Sequence, residues 1–284
     1  DYSGNDNVTV RIVTKMGDIF DCDRAIVTVP LQILKDGDIE FIPPFSSERL
    51  AALKASWMAP GLKVFLEFSE TFYPVNFGFE RNNAAYETGK GDHLYFDEAF
   101  MQSDSSPDPD HILGLFAVGV SAEPYLEQGT EEKLRDYILA ELDMLFDGRA
   151  TATFQRLVVQ NWTAEPFIRG AYSEFFEEFD LIRILSRPLD NVVLFAGEAM
   201  PVDGEYYGYA HGAALSGQNA ANSILSITTI GVESTPSSDT IILDTSIAKG
   251  GSGLYWSGGT IISTGSWLYW SGMVLIATLN LWTM

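Results

Sequence analysis

A chain of 284 residues with 46% hydrophobic composition is long enough for one large or two medium cores, which excludes a disordered or fibrous polypeptide. Seventeen Lys and Arg against 39 Asp and Glu give a formal net charge of −22, so the surface repels a phosphate backbone and no nucleic-acid partner is expected. The single cysteine, Cys22, rules out an internal disulfide, and His93, His111 and His211 lie without ligand spacing, so no metal site is expected.

The chain opens on Asp1 rather than Met, with no charged leader before an apolar run, and reads as truncated at its start. Val8 to Val13 and Ile19 to Asp23 flank the turn Lys15-Met16-Gly17-Asp18 and predict a β-hairpin, and the β-branched run Ala25 to Val29 predicts a strand closed by Pro30. Ser46 and Ser47 before Glu48, with Leu50, Leu53 and Trp57 at helical spacing, predict a short capped helix that stops before Pro60. Leu62, Val64 and Leu66 alternate with Lys63, Phe65 and Glu67, as a strand with two different faces requires. Ser103 to Asp110 is loop in composition, and Ile112 to Val120 is strand-like. Thr130 caps an amphipathic helix whose Leu134, Ile138, Leu142 and Leu145 share a face and which ends at Gly148. Strands follow at Leu157 to Trp162 and at Asn191 to Ala196, then a slim helix rich in Ala, Gly and Ser from His211 to Leu225. The alternation predicts an α/β or α+β fold.

Residues 229–284 differ in kind. From Gly250 to Met284 no residue is charged, and Leu254-Tyr255-Trp256-Ser257-Gly258 recurs as Leu268-Tyr269-Trp270-Ser271-Gly272, the mark of a tandem duplication. Ile261 to Met284 has the length of a membrane-spanning helix, but Ser, Thr, Gly and Asn dilute it. A membrane anchor, a β-hairpin packed on the body and an unstructured extension are the three readings of this tail, and the compartment is left open.

The strongest chemical signal is Leu194-Phe195-Ala196-Gly197-Glu198, followed by Gly208-Tyr209-Ala210-His211-Gly212-Ala213 and Leu215-Ser216-Gly217. A buried strand ending in Gly-Glu lets backbone approach a ligand while the carboxylate accepts hydrogen bonds, and the helix that follows aims N–H groups and its positive end at electron-rich atoms. These segments resemble the C-terminal flavin-binding signature of the flavin-containing amine oxidases, the family of polyamine oxidases, monoamine oxidases and lysine-specific histone demethylases. Three further segments match in order. Ala25 to Lys35 with Ile39, Phe41, Pro43 and Pro44 is similar to the strand and loop leaving the flavin domain. Lys63 to Phe68 with Phe72-Tyr73-Pro74 resembles the active-site lysine strand. Trp162 through Glu165-Pro166 to Gly170-Ala171-Tyr172-Ser173 resembles the Trp-x-x-Asp-Pro segment and the Gly-Ser-Tyr-Ser that follows it, with Glu165 and Ala171 as departures.

The resemblance implies FAD as cofactor and oxidation of an amine, a polyamine by class, to an imine, with hydride passing to flavin N5 and oxygen yielding hydrogen peroxide. Gly197 and Glu198 would meet the ribityl and pyrophosphate region, and the backbone of Tyr209 and Ala210 the pyrimidine edge. Lys63 is the implied catalytic residue, reaching N5 through a water. Tyr172 and Tyr209 match the aromatic pair that sandwiches the substrate amine, and Trp162 is either a flavin contact or core. His211 reads as a helix-start residue, and Glu174, Glu177, Glu178 and Asp180 as a solvated face. No G-x-G-x-x-G unit is present, so the match is to the C-terminal part of a two-domain enzyme whose N-terminal Rossmann segment is missing. The implied organisation is strands of the FAD-binding domain at 1–44, a mixed-sheet substrate-binding domain at 45–188, a returning strand and helix of the FAD-binding domain at 189–228, and the low-charge extension at 229–284. The alternative from another class is a non-catalytic remnant or interaction module that keeps the substrate-domain fold.

Overall fold

The computed structural model describes residues 9–78, 94–99, 110–174, 179–201, 206–230, 240–244 and 273–276. They fall into two compact units, Asp1–Met58 with Tyr172–Met284, and Ala59–Ala171. In the first unit Val10–Val13 (β1) and Ile19–Cys22 (β2) form the expected antiparallel hairpin. Arg11 on β1 grips Asp21 on β2 with two hydrogen bonds of 2.7 and 2.9 Å, which raises the guanidinium pKa and lowers that of the carboxyl. Arg24–Val27 (β3) follows, then Leu31–Asp36, a helix (α1) where the resemblance implied strand and loop. Pro30 enters it, Leu31, Ile33 and Leu34 bury one side, and Gly37 closes it in the left-handed conformation. Glu40–Ile42 (β4) leads to Ser47–Ala55 (α2), whose first turn is capped as expected: the Arg49 N–H donates to Ser46 Oγ at 3.2 Å. Its buried face, however, is Arg49, Ala52 and Leu53. Leu50 is 52% exposed, and Trp57 sits instead in a short strand, Trp57–Met58 (β5).

The second unit is built on Gly61–Phe68 (β6), with Asn76–Gly78 (β7), Leu94–Asp97 (β8), Ile112–Val118 (β9), a 3₁₀ turn at Gly119–Ala122, and helices Glu123–Leu126 (α3), Glu131–Leu145 (α4) and Arg149–Thr153 (α5) before Phe154–Asn161 (β10). The order β10-β6-β9-β8-β7 is antiparallel throughout. Alternation along β6 holds as the sequence implies, with Leu62, Val64 and Leu66 buried and Lys63, Phe65 and Glu67 half-buried. The Lys133 N–H donates to Thr130 Oγ1 at the start of α4, and Leu134, Ile138 and Leu142 join Val64, Leu66, Leu113 and Leu115 in one core. Ile138 has no exposed surface, so Ile138→Val is expected to cost about 1 kcal/mol by urea denaturation.

The first unit resumes with Ser173–Glu174 (β11), paired antiparallel to β5, then Phe179–Ser186 (α6), Val193–Phe195 (β12) and the long helix Ala210–Ile230 (α7). β12 runs parallel to β3, and Ala220 and Ile224 of α7 close over Ile26, Leu194 and Ala196. Small residues along α7 permit this close approach. Two strands come from the extension. Ile241–Asp244 (β13) completes the order β2-β1-β13-β4, a mixed sheet, and Met273–Ile276 (β14) lies parallel to β3 in the order β12-β3-β14. The repeat at 254–258 and 268–272, and all of 261–284 except β14, lie outside the described residues. Among the described residues no helix is long and apolar enough to cross a membrane.

Candidate functional site

Three consecutive buried residues of β12 deliver the chain to Gly197, whose φ of +139° only glycine adopts readily, and then to Glu198. A Cβ at Gly197 would meet nothing within 4 Å, so backbone faces open space there. The Glu198 carboxylate accepts from the Ser173 hydroxyl at 2.6 Å and from the Ser173 N–H at 3.2 and 3.3 Å. Ser173 is 1% exposed and held in register with Met58. Burial raises the pKa of Glu198, and the two Ser173 donors pull against that rise.

From Glu198 the chain returns through Tyr206 to Gly208, whose N–H donates to the Glu198 carbonyl at 3.2 Å. Gly212, in the first turn of α7, packs so close to the Tyr206 carbonyl that any Cβ would collide with it, which explains the glycine in the signature. Ser216 locks helix to strand: the Gly197 N–H donates to its hydroxyl at 2.9 Å, and the hydroxyl lies 3.0 Å from the Gly197 carbonyl and 2.9 Å from that of Ala213. Ala210 begins this helix of 21 residues, whose first-turn N–H groups carry its positive end. His211 lies 4.5 Å from the Tyr206 ring and 5.3 Å from the Tyr209 ring, centroid to centroid, a helix-start residue within an aromatic turn.

Around Ser173 the aromatic and acidic residues share one electrostatic neighbourhood. Tyr172 is half-buried and its pKa is raised by burial first, then by Glu174, Tyr209 and Glu198. Tyr209 is 62% exposed. Burial also raises Glu174, against a hydrogen bond with Tyr172, and pushes Tyr207 well above the usual phenol range. The structure therefore brings Gly197, Glu198, Tyr172, Tyr209 and Ala210 together in the first unit. Ser173, Tyr207 and Glu174 were not singled out as site residues from sequence. Glu174 read there as part of a solvated face, and only the Gly-Ala-Tyr-Ser segment marked Ser173.

Lys63 and Trp162 belong to the second unit. Lys63 sits mid-sheet on β6, opposite Gln160 on one side and Phe116 on the other, with Nζ 5.6 Å from the Phe116 ring centroid. Trp162 opens the turn after β10, its carbonyl accepting from Glu165 at 3.3 Å and from Gly170 at 3.2 Å. Thr163 clamps that turn to the start of the lysine strand, accepting from the Gly61 N–H at 2.8 Å.

The raised pKa of Glu198 has a measurable sign. In the folded chain this carboxyl keeps its proton above the usual 4.5, so the folded state binds more protons than the unfolded state and stability falls as pH rises through that window. Glu198→Gln is expected to flatten the fall, read as the slope of the first unit's melting temperature between roughly pH 4 and pH 7. An unchanged slope assigns the titration elsewhere.

A family model described as flavin containing amine oxidoreductase matches residues 1–225. The chain is 29% identical over 248 residues to lysine-specific histone demethylase 1 homolog 3 of Arabidopsis thaliana, covering 85% of this chain and 15% of that protein. It is 25% identical over 221 residues to polyamine oxidase 1 of Zea mays, covering 76% and 42%. Over 250 residues it is 25% identical to the peroxisomal N(1)-acetyl-spermine/spermidine oxidase of Homo sapiens, covering 77% and 45%. The chain spans less than half the length of each of these relatives.

Proposed function

Because this chain belongs to the flavin containing amine oxidoreductase family, we propose that it supplies the substrate-facing part of an FAD-dependent oxidase that removes a hydride from the α-carbon of a polyamine and releases hydrogen peroxide. The observation that carries the reading is the cluster around Ser173, where a desolvated carboxylate, an open glycine and two tyrosines lie beside the start of a long helix. Its residues fit a flavin cofactor. The space over Gly197 is what a ligand lying against backbone needs, and Glu198 is an acceptor suited to ribityl hydroxyls. The helix start at Ala210 favours negative charge on a ring edge.

Bound FAD supplies the two-electron acceptor. The chain's own residues do the rest. Tyr172 and Tyr209 hold the amine between flat faces, attracting the ammonium form on arrival by about 1 kcal/mol. The burial that raises Tyr172 keeps its phenol neutral, so the pair stays an aromatic wall rather than a charged one. Glu198 and Ser173 fix the backbone that orients this wall, and Lys63 of the second unit handles the proton that accompanies oxygen reduction. The formal charge of −22 favours a polycationic substrate over a neutral amine by long-range attraction. Relatives named as polyamine oxidases support the same class. The test is peroxide release by the flavin-loaded protein across spermine, spermidine and a simple monoamine. Polyamines are expected to give the highest kcat/KM, falling with added salt, and flavin-loaded protein silent toward every amine would overturn the reading.

A further inference from the structure

The family match ends at residue 225, yet β13, at Ile241–Asp244, is one of the two inner strands of a four-stranded sheet. It runs parallel to β1, pairing Val10 with Ile241 through Val13 with Asp244, and antiparallel to β4, pairing Phe41 with Leu243. The Ile241 N–H also donates to the Thr9 carbonyl at 3.0 Å. Ile241 and Leu243 are each 2% exposed and Asp244 is 7% exposed, so the segment is buried as a core strand. Without it, the hairpin β1–β2 and the three-residue β4 would each present an unpaired edge, with no ladder between them.

What β4 holds gives the strand a further reach. Phe41, opposite Leu243, stacks on Phe45 at 4.1 Å and lies 6.0 Å from Phe195, the last residue of β12 before Ala196-Gly197-Glu198. Arg49 rests over Phe195 and Phe45, its Cζ 4.5 and 5.1 Å from their centroids. Burial and neighbouring Arg187 bring the pKa of Arg49 down to about 10.

We infer that the space between β1 and β4 is a strand-accepting site, filled by residues 240–244 of the same chain, and that its occupancy orders the Phe41–Phe45–Phe195 cluster behind Glu198. Recognition is by two backbone ladders plus two apolar pockets, for Ile241 and Leu243, on alternate positions of an extended segment. Residues 240–244 are thereby part of the first unit rather than an appendage to it.

Leu243→Asp in the full chain places a carboxylate in a buried site and should empty the slot. Hydrogen exchange at Ile12, Phe41 and Phe195 is then expected to speed up at least tenfold, while Val64 and Leu115 of the second unit, the internal reference for folding, keep their protection. Leu243→Ile should restore wild-type exchange. A fluorescent peptide of residues 238–246 should bind the Leu243→Asp chain and not the wild type, and should return protection to Phe41 and Phe195. Should Leu243→Asp aggregate, Leu243→Ala with the same exchange readout replaces it. Unchanged exchange, a peptide that binds both chains equally or neither, or a concentration-dependent dimer swapping the strand between copies would each overturn the inference.

Discussion

Glu141→Ala should destabilise the second unit by about 2 to 6 kcal/mol, because two buried donors lose their acceptor. Glu141 lies on α4 and is only 3% exposed, an acid on an otherwise apolar face. The Tyr125 hydroxyl donates to its carboxylate at 2.8 and 3.1 Å, and the Tyr95 hydroxyl at 3.3 Å. Both phenols are essentially unexposed, and Tyr95 is held far above the usual phenol pKa by burial, by Tyr125 and by Glu141, so it stays a donor at every working pH. Removing the carboxylate takes that acceptor from both phenols in the core, at about 1 to 3 kcal/mol each. The triple variant Glu141→Leu, Tyr95→Phe, Tyr125→Phe removes donors and acceptor together, and should lose less than Glu141→Ala alone. A chain of two units need not unfold in one step, so the comparison is made through urea-dependent exchange at Leu115 and Ile138. If the triple variant is the less stable, the carboxylate contributes more than acceptance of the two phenols.

Such a cluster is invisible to periodicity, because its members are separated in sequence and Glu141 counts as a polar break in the α4 pattern. The legible elements were those whose signal is local. Thr130 with the spacing of Leu134, Ile138, Leu142 and Leu145 gave α4, although the helix ends at Leu145, which is 43% exposed, rather than at Gly148. Alternation gave β6, and the Ala-Gly-Ser run from His211 gave α7, which extends to Ile230. Errors arose where a distant partner decided the outcome. Trp57 continues the helical spacing of Leu50 and Leu53, yet pairing with Glu174 draws it into β5, and Leu50 is left on the surface. The run Leu31 to Lys35 is short and partly β-branched, and burial of Leu31, Ile33 and Leu34 makes it helix. Within the site, Gly197, Glu198 and the turn before α7 were legible because a ligand-facing backbone needs glycine at fixed places. The Ser173 hydrogen bond to Glu198 was not, since the two meet only when β11 pairs with β5.

Lys63→Met should slow return of the oxidised flavin absorbance on mixing with oxygen by about 100-fold or more, the scale of a lost general acid or base. Lys63 is well placed for a clean test. It lies mid-strand with neighbours on both sides, and its side chain is half-buried, so methionine keeps the stem and the ladder while removing the charge. The lost attraction to the Phe116 ring is about 0.5 to 1 kcal/mol, too little to unfold the sheet. Melting temperature and the rate of anaerobic flavin reduction by spermine are therefore expected to change little, so a selective loss of the oxygen step separates chemistry from stability. Lys63→Arg discriminates further, since it restores charge but presents a group that does not give up a proton near neutral pH. A role in proton handling predicts that Arg fails to rescue, whereas a role in charge alone predicts that it does. Reoxidation at the wild-type rate in Lys63→Met would remove the lysine from the reaction and leave it a strand residue packed against Phe116.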